Sequence, residues 1–257
     1  IIEGRRLSFF FFLKYKHNDM ESLEAQLQKC DPDKVKLIVT DGVFSMEGDV
    51  ANLPKIVELA KKYDASVMVD EAHGIGVFGK GGRGTCDHFG VTKDVDLIMG
   101  TFSKSFASLG GFIATDKEIT NYLRHHSRSY IFTASITPAS TAAALKAIDI
   151  MEQEPERQEH LWKLTNMALD GFRSMGFEIG NTSTPIIPLY IRDNFLTFAI
   201  TSELLQEGVF VNPVVSPAVA PHDTLIRFSL MATHTESQVT QALEKLQKVF
   251  RSHNLIP

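Results

Sequence analysis

The chain has 257 residues, 44% of them hydrophobic and 22% charged, long enough to bury a sizeable core in one large or two modest domains. Its 26 basic and 31 acidic residues give a formal charge of −5, which leaves no electrostatic footprint for nucleic acid. No apolar run approaches the length of a membrane span. Cys30 and Cys86 are too few and too far apart for a metal or disulfide framework, and they fit a reducing cytoplasm.

The first distinctive stretch is Phe9-Phe10-Phe11-Phe12-Leu13, flanked by Arg5, Arg6, Lys14 and Lys16. It is too short to span a membrane and lacks the small-residue cleavage site of a signal peptide, so it reads as a core or interface strand. His17-Asn18-Asp19 then caps a helix over Met20 to Leu27, and Lys36 to Thr40 reads as a strand. The loop 41–49 leads to a helix capped by Asn52 and running to Tyr63, and Ser66 to Val69 forms the next strand. This strand–helix–strand unit predicts parallel strands, with Ser45 and Asp70 on one rim.

Asp96 to Met99 is a third short apolar strand. Asp70-Glu71-Ala72-His73 and Thr101-Phe102-Ser103-Lys104 therefore sit at the carboxyl ends of two buried strands, where open α/β sheets bind ligands. The glycine-rich segment Gly74 to Gly84 reads as a mobile loop beside them. Gly110 to Ala114 resumes as a strand. Pro138 opens an alanine-rich helix through Met151, and a second helix spans roughly Pro155 to Met175.

Beyond that pair the pattern changes to strands at Ile186–Ile191, Val209–Val211 and Leu225–Leu230, a helix near Thr197–Gln206, and a final helix with Val239, Leu243, Leu246 and Phe250 on one stripe. Thr235 with Gln238 forms a capping box. The expected organisation is a large domain over residues 1–150 and a small α+β domain over 151–257.

An acid, an imidazole, two hydroxyls and a lysine on one rim suit pyridoxal phosphate. That cofactor needs a lysine imine (Lys104), a carboxylate at its ring nitrogen (Asp70), a neighbour for its phenolic oxygen (His73) and hydroxyl donors to its phosphate (Thr101, Ser103). Asp-Glu-Ala-His also resembles the acidic motif of helicase-type ATPases. The phosphate loop such a protein requires is not matched, because Ser103 stands where glycine is needed and the spacing is short. Arg227, on an alternating strand, reads either as a surface salt bridge or as a fork for a substrate carboxylate.

These motifs, together with His17-Asn18-Asp19-Met20, Asp41 to Asp49, Tyr130 to Ser135 and Ile226-Arg227, resemble the α-oxoamine synthases of the fold-type-I pyridoxal-phosphate superfamily. The resemblance runs in family order along nearly the whole chain. It implies an aminotransferase-like α/β fold with a mostly parallel sheet, joined partway, an N-terminal third with the glycine-rich phosphate turn and the ring-stacking histidine being absent here. It also implies a homodimer with shared active sites. Ser45 would join the cofactor site, Thr133 would reach the phosphate of the partner's cofactor, Thr224 would lie near the acyl-CoA, and Arg227 would hold the amino-acid carboxylate.

Thr-Phe-Ser-Lys-Ser, Tyr-Ile-Phe-Thr-Ala-Ser and Val211-Asn212-Pro213 lie nearest to family members that condense L-serine with palmitoyl-CoA, losing carbon dioxide, to give 3-ketodihydrosphingosine. A lipid product of that kind implies contact with a membrane surface. The alternatives are the members that join glycine to acetyl-CoA, the 8-amino-7-oxononanoate synthases, and a truncated, inactive relative that only dimerises.

Overall fold

A computed structural model describes residues 10–257. Two sheets carry the architecture. In the first, β1 (Leu37–Asp41), β2 (Ser66–Asp70) and β3 (Leu97–Thr101) run parallel in chain order, and β4 (Gly111–Thr115) closes the row antiparallel to β3. β1 and β2 alternate in burial with period two, so Ile38 and Thr40 face the same side as Val67 and Val69. Against that side pack α1 (Met20–Leu27) and α2 (Leu53–Lys62), burying Leu23, Leu27, Leu53, Ile56, Val57 and Leu59. Both helices start where their caps predict. The Asp19 carboxylate accepts from Ser22 N–H at 2.8 Å, and Asn52 Oδ1 accepts from Lys55 N–H at 3.3 Å.

The short helices α3 (Thr85–His88), α4 (Lys117–His126) and α5 (Arg128–Ile131) border this sheet, and α6 (Pro138–Gln153) leads out of it. α7 (Glu156–Ser174) opens the second half. Its sheet is antiparallel, ordered β5 (Ile186–Tyr190), β7 (Leu225–Ser229), β6 (Asn212–Val214), and is completed by α8 (Asn194–Gln206) and α9 (Glu236–Ser252). α9 starts at the expected Thr235–Gln238 capping box and buries the expected stripe. Each of those side chains contributes about 2 kcal/mol of transfer free energy at most. α7 approaches α9 closely at Gly171, where a Cβ would lie 2.7 Å from Leu243 Cδ1.

Several sequence expectations are corrected. Phe10–Phe12 form no strand and are exposed at 81%, 89% and 42%; Phe9 lies outside the described residues. Expected strand Val209–Val211 begins instead at Asn212. Val209 and Val211 do alternate into the core, but the ladder to β7 runs only from Asn212 to Val214. α8 starts three residues before Thr197, because the Asp193 carboxylate accepts from Leu196 N–H at 2.7 Å. The segment Gly74–Gly84 does not hang free. Gln158 Nε2 donates to the carbonyls of Val77 (2.7 Å) and Gly79 (3.0 Å), and Trp162 Nε1 donates to Val77 (2.9 Å).

The two halves are stitched by the loop after β1. Thr182 Oγ1 lies within donating distance of the carbonyls of Gly48 (2.9 Å) and Ile186 (2.7 Å). Val43, Phe78 and Ile186 form a small shared core. Gly48 has φ +68°, and a Cβ there would sit 2.0 Å from the Ile186 carbonyl oxygen, so only glycine allows this approach.

Candidate active site

Between the two sheets lies a cleft of about 290 Å3 whose lining includes Ala72, His73, Lys104, Ser105, Thr184 and Arg227. His73 arrives on the turn after β2, Lys104 on the turn after β3, and Arg227 from the middle of β7. Three residues far apart in sequence thus meet because parallel strands end on one rim and the second sheet faces it.

The turn carrying His73 is built on Glu71. The amides of Gly74 and Ile75 donate to the Glu71 carbonyl, both at 3.0 Å. The Glu71 side chain is fully buried, and its Oε1 accepts from Thr85 Oγ1 and from Cys86 N–H, both at 2.8 Å. Backbone crowds it from three directions. A Cβ on Gly42, Gly74 or Gly84 would lie within 3.0 Å of the carboxyl group. Asp70, at the end of β2, accepts from Ala72 N–H at 2.9 Å through Oδ1.

After β3, Thr101 Oγ1 and Ser103 Oγ stand 2.9 Å apart, and Ser103 N–H donates to Thr101 Oγ1 at 3.2 Å. Two hydroxyls are thereby gathered beside Lys104, which is exposed on the cleft wall. Ser105 Oγ donates to the Ile75 carbonyl at 2.9 Å, tying the lysine turn to the histidine turn. Arg227 Nε donates to the Ser45 carbonyl at 2.7 Å, so Ser45 enters the site through its backbone.

The electrostatics follow from partial burial. Burial, reinforced by the positive charges of Lys104 and Arg227, pushes His73 down to about 4, so its imidazole is neutral near pH 7. Burial also lowers Arg227 from the usual arginine value. Asp41 is pushed up to about 6, first by burial and then by repulsion from Asp70, with Lys104 acting against both. A neutral imidazole, a guanidinium and a primary amine around one cleft can bind an anion and move a proton.

Two expected residues stand apart. Thr133 is exposed on the segment after α5. Thr224 is fully buried, its carbonyl accepts from the amides of Ile191 and Arg192, and its hydroxyl has no hydrogen-bond partner among the described residues. It does not line the cleft. The sequence reading gave no role to Glu71, Ser105 or Thr184. A fully buried glutamate amid glycines carries a signal only once its neighbours in space are known.

The His17-Asn18-Asp19 and Asp41–Asp49 motifs prove to be one clamp. His17 Nε2 pairs with the Asp49 carboxylate at 3.0 Å, and Asn18 Nδ2 donates to the Val50 carbonyl at 2.9 Å. Asn52 N–H donates back to Asn18 Oδ1 at 3.0 Å. The hydrogen bond that His17 donates to the Asp49 carboxylate raises the His17 pKa. The clamp holds the loop that presents the Ser45 carbonyl to Arg227.

Among known proteins, the chain is 65% identical over 256 residues to a serine palmitoyltransferase of Bacteroides ovatus, covering all of this chain and 65% of that protein. It is 46% identical to an 8-amino-7-oxononanoate synthase of Petrotoga mobilis, over 98% of this chain and 65% of that protein. A solved serine palmitoyltransferase from S. paucimobilis, with PLP and myriocin bound, superposes with a TM-score of 0.96 at 33% identity, covering 99% of this chain and 65% of that one. The chain therefore spans about 65% of the length of the curated relatives it matches. The model of the aminotransferase class I and II family matches residues 1–246, and the chain belongs to that family.

Proposed function

We propose that the chain is the larger part of a pyridoxal-phosphate enzyme that acylates L-serine with palmitoyl-CoA, with loss of carbon dioxide, to give 3-ketodihydrosphingosine. The observation that carries the reading is the convergence of Lys104, His73 and Arg227 on one cleft beside the Asp70 strand end. The donor set fits the cofactor: two gathered hydroxyls at Thr101 and Ser103 for its phosphate, a carboxylate at Asp70 for its ring nitrogen, and an exposed amine at Lys104 for its aldehyde. Bound there, pyridoxal phosphate supplies an exchangeable imine and a ring that stores negative charge.

The chain's own residues do the rest. Lys104 Nζ would hold the aldehyde, and once free would be the base for the α-proton. Asp70 would hold the ring nitrogen. His73, neutral, would hydrogen-bond the phenolic oxygen without adding a positive charge beside Lys104. Arg227, fixed by the Ser45 carbonyl, offers its terminal nitrogens to the substrate carboxylate, a geometry a lysine could not copy.

In this reading residues 1–150 form the cofactor part and 151–257 the small domain. The working unit is a cytoplasmic homodimer in which Thr133 reaches the partner's cofactor phosphate, with membrane contact for the lipid product. Thr224 supports the acyl-CoA side from within the small domain. Among the described residues no helix is long and apolar enough to cross a membrane.

The test is borohydride reduction after incubation with pyridoxal phosphate, then peptide mapping and a side-by-side assay. A single adduct on Lys104 and turnover of serine with palmitoyl-CoA are expected. Scattered lysine labelling would overturn the cofactor site. Preference for glycine with acetyl-CoA would overturn the substrate pair.

A further inference from the structure

Asp41 and Asp70 are Cα partners in the parallel ladder between β1 and β2, at the last position of each strand. In-register partners of adjacent parallel strands point to the same face, with backbones about 4.8 Å apart. The matching alternation confirms the side: Val39 and Asp41 share the face of Met68 and Asp70, opposite the face that packs on α1 and α2. The two strands are also joined past their ends, where Gly42 N–H donates to the Asp70 carbonyl at 2.8 Å. Two half-buried carboxyl groups therefore stand side by side on the rim that carries Lys104.

We propose that Asp41 is a positioning residue for Asp70: the two form a carboxyl pair, and the charge state of Asp41 sets how strongly Asp70 holds a proton or a protonated ring nitrogen. The proposal deepens the pyridoxal-phosphate reading and rests on it for the identity of that ring. Two like charges this close do not both ionise freely. Ala72 N–H donates to Asp70 Oδ1 at 2.9 Å and fixes that carboxylate on the rim. Asp41, with its pKa pushed up to about 6 by burial and by Asp70, accepts a proton as pH falls through that value.

The other charged or titratable groups acting on Asp41 come from every side. Glu47 in the following loop adds to the repulsion, and Lys104 after β3 opposes it. His17 and Tyr15, from the segment before α1, also feel the Asp41 charge. Once Asp41 ionises, its charge raises the proton affinity of Asp70 and strengthens the hold of the pair on a cationic N–H. Sequence reading assigned that hold to Asp70 alone.

The experiment is a 13C carboxyl NMR titration of the full chain, labelled at aspartate and free of cofactor. Asp41→Asn should remove a resonance that titrates near pH 6, and Asp70→Asn should move the midpoint of that resonance down by about half a unit or more, because the coupling of two charges is reciprocal. An Asp41 midpoint unmoved by Asp70→Asn would overturn the proposal. Asp41→Ser, checked for fold by circular dichroism, serves if the asparagine variant does not fold. A second arm measures pyridoxal-phosphate affinity by absorbance, with several-fold weaker binding expected for Asp41→Asn and near-normal binding for Asp41→Glu. Equal affinity in wild type and Asp41→Asn would overturn the link to the cofactor. Failure of the wild-type chain to bind pyridoxal phosphate would sink the functional reading instead, while the NMR arm still decides the pair.

Discussion

Replacing His73 by glutamine should make the cofactor-free protein less sensitive to acid. In the folded chain His73 is pushed down to about 4, against the ordinary histidine value of 6.5, because burial and the charges of Lys104 and Arg227 disfavour imidazolium. A lowered histidine pKa means the unfolded chain binds the proton more readily. Stability from this group is thus complete above pH 6.5 and is lost as pH falls toward 4. Between pH 7.5 and pH 5 the shift corresponds to about 2 kcal/mol by linkage. His73 is half-buried, and solvent screening reduces that figure to about 1 kcal/mol.

Asp41 works in the opposite sense. Its raised value makes the folded chain hold the extra proton between the ordinary aspartate value of 3.8 and about 6, so its ionisation weakens the fold as pH rises. Wild type alone would blur the two. The useful quantity is the difference between wild type and His73→Gln in urea unfolding at the two pH values. Glutamine should recover about 1 kcal/mol at pH 5 relative to its effect at pH 7.5. An identical difference at both pH values would show that the imidazole is not held neutral, and the electrostatic account of the cleft would fail.

Two further outcomes follow from packing. Gly48→Ala should lower stability by about 2 kcal/mol or more, seen as a fall in Tm, because a Cβ would collide with the Ile186 carbonyl at a left-handed backbone position. Thiol labelling of the native chain should modify half-buried Cys30 and spare Cys86, which is 1% exposed and whose thiol is pushed far up by burial and by Glu71; Cys86 should react only on unfolding.

Much of this was legible in the residues. Short apolar runs ending in Asp70 and Thr101 located the rim, because buried parallel strands leave period and boundary signals in the chain. Asp19, Asn52 and the Thr235–Gln238 pair marked helix starts for a local reason that needs no tertiary partner. The misses are non-local or arise from competing signals. Asp193 is an equally good cap, but the apolar run suggested a later start. The Phe run promised burial that residues 10–12 do not show. The meeting of Arg227 with Ser45 joins residues 182 positions apart, and no periodicity reports such a contact. Thr224 carried only a family resemblance, and its side chain is fully buried.

The buried Glu71 side chain leaves a negative of itself in the chain. Gly42, Gly74 and Gly84 come from three different turns, yet each faces the same carboxyl group. A saturation library selected for folding should therefore be as intolerant at these three positions as a library selected for turnover is at Lys104. The two selections would separate the groups: conditions that ask only for a folded chain would release Lys104 and keep the glycines fixed. Enlarging Gly74 demands a smaller residue at 71, so tolerated pairs should appear as linked changes between those two positions, whereas Gly42 is closed first by Thr85 Oγ1 at 2.2 Å and Gly84 by its φ of +102°.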